Sequence, residues 1–415
     1  MGASIGIVGG GQLAWMLAEA AQRRGVSLQV QTPNPQDPAV ALASGVVQAD
    51  VRDVGATRRL AQGCSAISFE NEWVDLQGLA PLEAEGIQFV PCLDALKPLV
   101  CKRSQRELLQ RLNLPSPRWI PLDLVQQKQP VPELMPPVPT GAPSGAPAPG
   151  PAVQLPDGFA FPLMAKAASG GYDGKGTALL RSAVELEALM QRVDAGNWIL
   201  EEFVSFDQEL AVVAARDRQG EVVCFPLVQT HQYQQVCDWV LAPLEANHGL
   251  QQRVRNIAAS LLTSLDYVGV LSIEFFYGPR GLMVNELAPR THNSGHFSIE
   301  ACNLSQFDQQ LLVVAGEQAQ EPELVVPGAL MVNLLGFEVS DSEYAPQREA
   351  LKALADAHLH WYGKQGAAPG RKLGHITVLL REAESAARRQ EAMARLEQVR
   401  QIWPLPPGPD PQQGA

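Results

Sequence analysis

The chain has 415 residues, 46% of them hydrophobic, and a net charge of −12; it is too long for one core and too apolar for disorder, so two or three domains are expected. The acidic balance argues against a nucleic-acid partner, and no apolar run is long enough to span a membrane. Six scattered cysteines without a C-x-x-C pair exclude structural zinc and a disulfide framework, and with no signal-peptide pattern they fit a cytoplasmic protein.

Ser4–Val8 reads as a strand, Gly9-Gly10-Gly11 as a turn, and Gln12 to about Arg24 as a helix that Gly25 stops. Val26–Gln31 is the next strand. A glycine turn at a helix N-terminus is a ready place for a phosphate. Gly9, Gly11 and Ala14 satisfy the dinucleotide fingerprint, but the second strand ends in Gln31-Thr32-Pro33, without the acid that a dinucleotide ribose needs. Val47–Ala49, Ala66–Phe69 and Gln88–Val90 are further short strands of a first α/β domain. Glu70-Asn71-Glu72 follows a strand end, where open sheets bind ligands.

Ala95 to Leu112 is expected as one helix bearing Lys102, Arg103, Arg106 and Arg111. Gln126–Pro156 is rich in Pro, Gly and Ala and reads as an extended insertion outside the chemistry. Phe161–Lys166 is a strand ending in lysine, followed by a glycine-rich loop over 168–176 and the strand Thr177–Leu180. Such a loop can fold over a triphosphate with its N–H groups inward, and Lys166 and Lys175 add charge. It is not a Walker loop, because G-x-x-x-x-G-K-[ST] is absent. Trp198–Val204 is a strand whose Glu201–Val204 end has the look of a hinge that reads an adenine edge. Glu202 or Glu209 is placed to accept from ribose hydroxyls.

Val268–Phe276 and Leu282–Val284 flank a turn at Gly278–Pro279 and read as a hairpin. Each strand carries one acid, Glu274 and Glu286, and Asn285 adds an amide oxygen. Two acids and an amide on a rigid hairpin make a hard-oxygen site suited to Mg²⁺, with phosphate oxygens completing the shell. Arg290, His292, Asn293, Ser294 and His296 follow as a dense polar loop. Phe297–Ala315 is expected to be helical, and Gly328–Leu335 to be a strand. Arg371 and Lys372 form a compact basic patch where an anionic group can dock.

Lysine strand, glycine loop, Glu-Glu hinge and paired-acid hairpin, in that order, resemble the ATP-grasp ligases. GGYDGKG, NELAPRTHNSGH, HLHWYGK and PGRKLGHIT narrow the resemblance to the 5-(carboxyamino)imidazole ribonucleotide synthase family, from Ile5 to about Arg381 apart from the Pro-rich insertion. The resemblance implies an α/β, three-domain ATP-grasp architecture: a Rossmann-like domain over 1–97, the ATP-grasp domain over 98–327 and a C-terminal domain over 328–415. It implies ATP, bicarbonate and 5-aminoimidazole ribonucleotide as substrates, Mg²⁺ or Mn²⁺, and a homodimer.

By the same resemblance, Lys102, Lys166, Gly171, Tyr172, Asp173, Gly174, Lys175, Gly176, Glu201, Glu202, Phe203, Val204, Glu209, Asn285 and Glu286 would hold ATP, and Glu274 and Glu286 the metal. Tyr172, Asp173 and Lys175 would handle bicarbonate and its activated form. Arg290, His292, Asn293, His296, Arg371 and Lys372 would face the ribonucleotide, with Gly10, Gly11 and Gln12 beside its ribose phosphate and Glu70 and Asn71 lining the site. Asp173 or a histidine of the HNSGH loop would take the amine proton. Three departures stand out. Cys101-Lys102 replaces a usual Asp-Arg, and Lys175 stands where Arg is common. Across Gln229–Asp238 the usual histidine aligns with Gln232 while His231 lies one position earlier, which in a strand is the opposite face. A formate-using ATP-grasp ligase, a nicotinamide oxidoreductase and an ATP-binding regulatory protein are the competing readings.

Overall fold

A computed structural model describes residues 4–127, 153–170 and 176–408. Most of the Pro-rich stretch, the loop residues Gly171, Tyr172, Asp173, Gly174 and Lys175, and the chain beyond 408 lie outside the described residues.

The apolar runs near the N-terminus become a parallel sheet. Ser4–Val8, Ser27–Thr32, Gly45–Gln48 and Ala66–Phe69 lie in the spatial order third, second, first, fourth. The helix Gln12–Arg24 connects the first two and ends at Gly25, whose φ of +68° is a left-handed value that glycine adopts without a Cβ penalty. Ile5, Ile7, Met16, Leu17 and Val30 pack there with Phe307 and Leu311 of a later helix, which ties this domain to the rest of the chain.

Trp119–Pro121, Trp198–Glu202, Leu163–Ala167 and Thr177–Leu180 form an antiparallel sheet in that spatial order. Leu163, Ala165, Leu186 and Leu200 are its core. A nine-stranded sheet then runs from the hairpin strands Gly281–Ala288 and Gly269–Gly278 through Gln208–Arg216, Val228–Tyr233, Val236–Ala242, Gly328–Leu335 and Lys372–Leu380 to Ala357–Trp361; Val222–Cys224 pairs with Gln208–Arg216 off this path. The division proposed at 327/328 thus falls inside one sheet, because Ala329–Val332 pairs directly with Trp239–Ala242.

Two expected helices are each split. Leu93–Leu96 and Lys102–Arg111 replace the single helix over Ala95–Leu112. Pro98 has no N–H to continue the ladder, and Cys101 is extended at the start of the second helix. Ser298–Ala301 and Gln306–Val314 replace the single helix over Phe297–Ala315. Cys302 is extended, and a capping box between Ser305 and Asp308 restarts the chain as a helix. The hairpin Val228–Tyr233 and Val236–Ala242 turns through Gln234 and Gln235 at φ +50° and +65°, a turn with no Gly or Asn to announce it. Among the described residues no helix is long and apolar enough to cross a membrane.

Candidate active site

The expected hairpin forms, with Pro279 and Arg280 as its turn and Gly281 at φ +83°. Its register sets Glu274 directly opposite Glu286, so both carboxylates project from one face. Val284, not Asn285, pairs with Phe275, which leaves Asn285 as the extra residue of a bulge. The bulge turns its groups to other uses. Its carbonyl accepts from Arg106 Nη2 at 2.6 Å and its side-chain oxygen from Lys166 Nζ at 3.2 Å. On the adjacent strand Ala211 lies opposite Glu274, and Glu209, two residues back, projects from the same face.

These acids differ in charge. Burial, reinforced by the Glu286 and Glu209 charges, raises Glu274 from 4.5 to about 7. Burial also raises Glu209 to about 7. Glu286 feels the same burial, but the Lys102 ammonium at 2.5 Å outweighs it and holds the carboxyl below its ordinary value. One consequence is a pH-dependent cost. Between about pH 4.5 and 7 the folded chain keeps a proton on Glu209 that the unfolded chain has released, so stability falls as pH rises through this window. Glu209→Gln reduces that slope, the rest of which comes from Glu274, and raises the melting temperature at pH 8. The gain is at most about 3 kcal/mol, since Glu209 keeps some contact with water. Thermal melts from pH 5 to 8 check this, and an unchanged slope would refute it.

Behind the acids lies a buried charge relay. Arg106 Nε donates to Glu201 Oε1 at 2.5 Å, and Lys166 Nζ lies 2.7 Å from Glu201 Oε2. Burial would raise the Glu201 carboxyl, but these two cations bring it to about 2. The Glu201 side chain thus holds Lys166, which leaves the main chain of 201–204 as the part of the expected hinge open to a nucleotide. Glu202 is likewise committed, at 3.1 Å from Arg118 Nε and 2.6 Å from Arg280 Nη2. Phe203 is 44% exposed, while Val204 is buried. Gly176 is described, at φ +80°; Gly171, Tyr172, Asp173, Gly174 and Lys175 are not.

The polar loop divides into a part near the acids and a part beneath them. Arg290 Nε donates to Glu72 Oε2 at 3.0 Å, joining the hairpin to the first domain. His292 Nε2 lies 3.7 Å from Glu274 Oε1. Burial, then the Arg290 and Lys372 charges, hold that imidazole well below its ordinary range, so it is neutral near pH 7. Asn293 and His296, expected to face the acceptor, are drawn inward as the loop tightens into a turn over Asn293–Gly295. Asn293 exchanges two amide bonds with Asn333, at 3.0 and 2.6 Å. His296 is fully buried, against Phe307 and His375.

The glycine turn of the first domain already holds an anion. Glu70 accepts from the N–H groups of Gly11 at 2.7 Å, Leu13 at 3.1 Å and Ala14 at 3.4 Å. A Cβ on Gly9 or Gly11 would meet a carboxylate oxygen of Glu70 at 2.6 Å, which explains the glycines. The helix N-terminus expected beside a ribose phosphate is thus occupied by the chain's own Glu70, while Asn71 accepts from the Trp73 N–H. Positive charge comes from the C-terminal strands instead. Lys364 Nζ donates to Gln12 Oε1 at 2.5 Å and to the Lys372 carbonyl at 3.0 Å. Arg371 folds back on the carbonyls of Gln365 and Gly366. Lys364 was not singled out from sequence, though it ends the HLHWYGK motif; Arg106 was noted only as one of four basic residues on its helix.

The ladder also places His231 and Gln232. Thr230 lies opposite Glu209; beyond it the ladder shifts register between His231 and Gln232, with Asp238 as the extra residue, so that His231 pairs with Trp239 and Gln232 with Cys237. His231 is stacked on Trp239 at 5.1 Å and lies 3.3 Å from Asp238, which pairs with Arg400.

Paired acids on a hairpin, a buried lysine relay between two antiparallel sheets and an α/β N-terminal domain define an ATP-grasp ligase. Residues 152–307 match the ATP-grasp domain, 2–98 the ribonucleotide synthetase preATP-grasp domain and 329–389 the phosphoribosylaminoimidazole carboxylase C-terminal domain. The chain is 49% identical over 402 residues to the N5-carboxyaminoimidazole ribonucleotide synthase of Synechococcus elongatus, across 97% of this chain and 96% of that one. It is similar to the Aspergillus clavatus carboxyaminoimidazole ribonucleotide synthase complexed with ATP, at 27% identity and a TM-score of 0.82, over 97% and 99% of the two chains. It is also similar to the Aspergillus clavatus N5-carboxyaminoimidazole synthase in complex with ADP and 5-aminoimidazole ribonucleotide, at 25% identity and a TM-score of 0.79, over 96% and 99%. The chain belongs to the N5-carboxyaminoimidazole ribonucleotide synthase family. Its activity is the ATP-dependent carboxylation of 5-aminoimidazole ribonucleotide in purine biosynthesis, and the nicotinamide, formate and regulatory readings give way.

Proposed function

We propose that bicarbonate is the carbon source and that ADP and phosphate are the other products. The observation that supports this best is the Glu274–Glu286 pair facing Lys102 and Lys166, a site built for polyphosphate and a cation. In this reading Lys102 and Lys166 hold the phosphates, the 201–204 main chain reads the adenine edge, and Glu209 lies beside the ribose. Glu274 and Glu286 are hard oxygen ligands that fit Mg²⁺. Among the described residues no three acids, histidines or cysteines group as a metal cluster, so phosphate oxygens would complete the shell. Mg²⁺ held there would offset charge on the phosphate oxygens.

The γ-phosphoryl passes to a bicarbonate oxygen, giving carboxyphosphate and ADP. The exocyclic amine of the ribonucleotide then attacks the carboxyl carbon as the C–O bond to phosphate breaks. The amine proton goes to a base, a role assigned to Asp173, while His292, neutral and with Nδ1 accepting from the Ser294 N–H, carries its proton on Nε2 and donates toward the ribonucleotide beside Glu274. Arg290, Lys364 and Lys372 stand around the acceptor and hold its phosphate and developing charge. The homodimer and the cytoplasmic setting belong to the same reading and rest on the family resemblance.

ADP release is measured with Mg·ATP and bicarbonate, with and without 5-aminoimidazole ribonucleotide. A strong rise on adding the ribonucleotide is expected. An unchanged rate with ATP binding intact would remove this acceptor.

A further inference from the structure

Gln306 is fully buried at the first turn of the helix Gln306–Val314, whose Phe307, Leu311 and Val314 pack on the N-terminal domain. Its amide makes three hydrogen bonds, and all three go to the loop that forms the candidate site. The His292 N–H donates to Gln306 Oε1 at 2.9 Å, and Gln306 Nε2 donates to the His292 carbonyl at 2.7 Å. This is the two-bond pattern of a strand pair, made by a side chain. The second hydrogen on Nε2 goes to His296 Nδ1 at 3.1 Å. That bond makes Nδ1 an acceptor and so places the His296 proton on Nε2. The main-chain N–H of Gln306 donates to Ser298 Oγ at 3.0 Å, and Ser298 Oγ donates to the Gly295 carbonyl at 2.6 Å. A Cβ on Gly295 would meet Gln306 Oε1 at 2.6 Å, so the loop and the amide are in close contact.

We infer that Gln306 is a positioning residue: it clamps the main chain at His292 and the ring of His296, and so aims His292 Nε2 toward Glu274 and the acceptor. With its backbone clamped, His292 has Nδ1 taken by the Ser294 N–H and hydroxyl, at 3.4 and 3.0 Å. The Ser294 N–H makes Nδ1 an acceptor, so the His292 proton sits on Nε2, the atom left to donate to the ribonucleotide, 3.7 Å from Glu274. A polar clamp fits this place better than apolar packing, because the loop's N–H and C=O groups are buried and must be bonded. The inference rests on the role given to His292 under the proposed function.

The test uses the full chain with Gln306→Met, which keeps length and loses all three bonds, and Gly295→Ala, which displaces the amide from the loop side. Both variants are expected to raise the KM for the ribonucleotide at least about tenfold, the scale of one lost buried bond. The KM for ATP stays within about twofold, since Gln306 touches none of the groups assigned to ATP. Gln306→Glu, which keeps the acceptor for the His292 N–H, recovers part of the loss. Imidazole ¹⁵N shifts of the labelled histidines give a readout independent of turnover: His296 shows the Nε2–H form in the parent and loses that preference in Gln306→Met. Equal changes in both KM values, or an unaltered His296 signature with an unaltered ribonucleotide KM, would overturn the inference. A parent enzyme that ignores the ribonucleotide, with the His296 signature still sensitive to Gln306, would overturn the proposed acceptor and leave the clamp standing.

Discussion

Glu286→Gln folds like the parent and forms ADP about 10²–10³-fold more slowly, the scale of removing one preorganised electrostatic group. Three features combine to give so large an effect. Glu286 is the acid of the pair held ionised, because Lys102 lies 2.5 Å away, while Glu274 is raised to about 7. Glutamine keeps the shape but removes the charge that would bind a cation and orient Lys102. The Glu286 side chain is 41% exposed, so water solvates the neutral substitute, and the glutamine amide oxygen still accepts from the Lys102 ammonium, which keeps the cost to the fold small. Initial rates at saturating ATP, paired with a thermal melt, separate the two effects. Full turnover in the variant would remove Glu286 from the metal and phosphate assignment.

Arg106→Leu acts on stability first, lowering it by about 3–5 kcal/mol, the usual cost of breaking one side of a buried pair. Arg106 and Glu201 are both almost wholly buried, and Arg106 satisfies two acceptors, Glu201 Oε1 and the Asn285 carbonyl. Leucine leaves that carbonyl unbonded and Glu201 with Lys166 as its remaining cation. Lys166 is then drawn closer to Glu201 and away from Asn285, so nucleotide affinity falls as well. Arg106→Lys does not restore the parent, because an ammonium lacks the fork that spans both acceptors. Urea unfolding with and without nucleotide measures both losses. A stability loss below about 1 kcal/mol would show that the relay relaxes without Arg106.

What was legible in the chain follows from local physics. Two apolar runs flanking a Gly-Pro pair announced the hairpin, and one acid on each arm announced the pair. The first βαβ unit was equally plain, from its glycine turn and Gly25. The contacts that complete the site span long separations and left no local mark. Arg106 reaches Glu201 and Asn285, and Gln306 reaches back to His292, by virtue of the packing alone. The bulge at Asn285 depends on the register of the partner strand, which no single strand encodes. Glu70 illustrates the other kind of miss. It was placed correctly after its strand, but its capture of the glycine turn is a long-range bond that reverses the expected role of that turn. The Gln234–Gln235 turn carries no turn residue, so the strand pair that places His231 and Gln232 was invisible until the ladder was seen.

The stretches that match separate family domains, 152–307 and 329–389, meet inside one sheet at the pairing of Trp239–Ala242 with Ala329–Val332. Their unit of descent is therefore not their unit of folding. Without the strand Gly328–Leu335, the strand Val236–Ala242, buried along its whole length, would become an open apolar edge, the kind of surface on which chains aggregate. The C-terminal stretch acts on this account as a built-in cover for the open edge of the ATP-binding part.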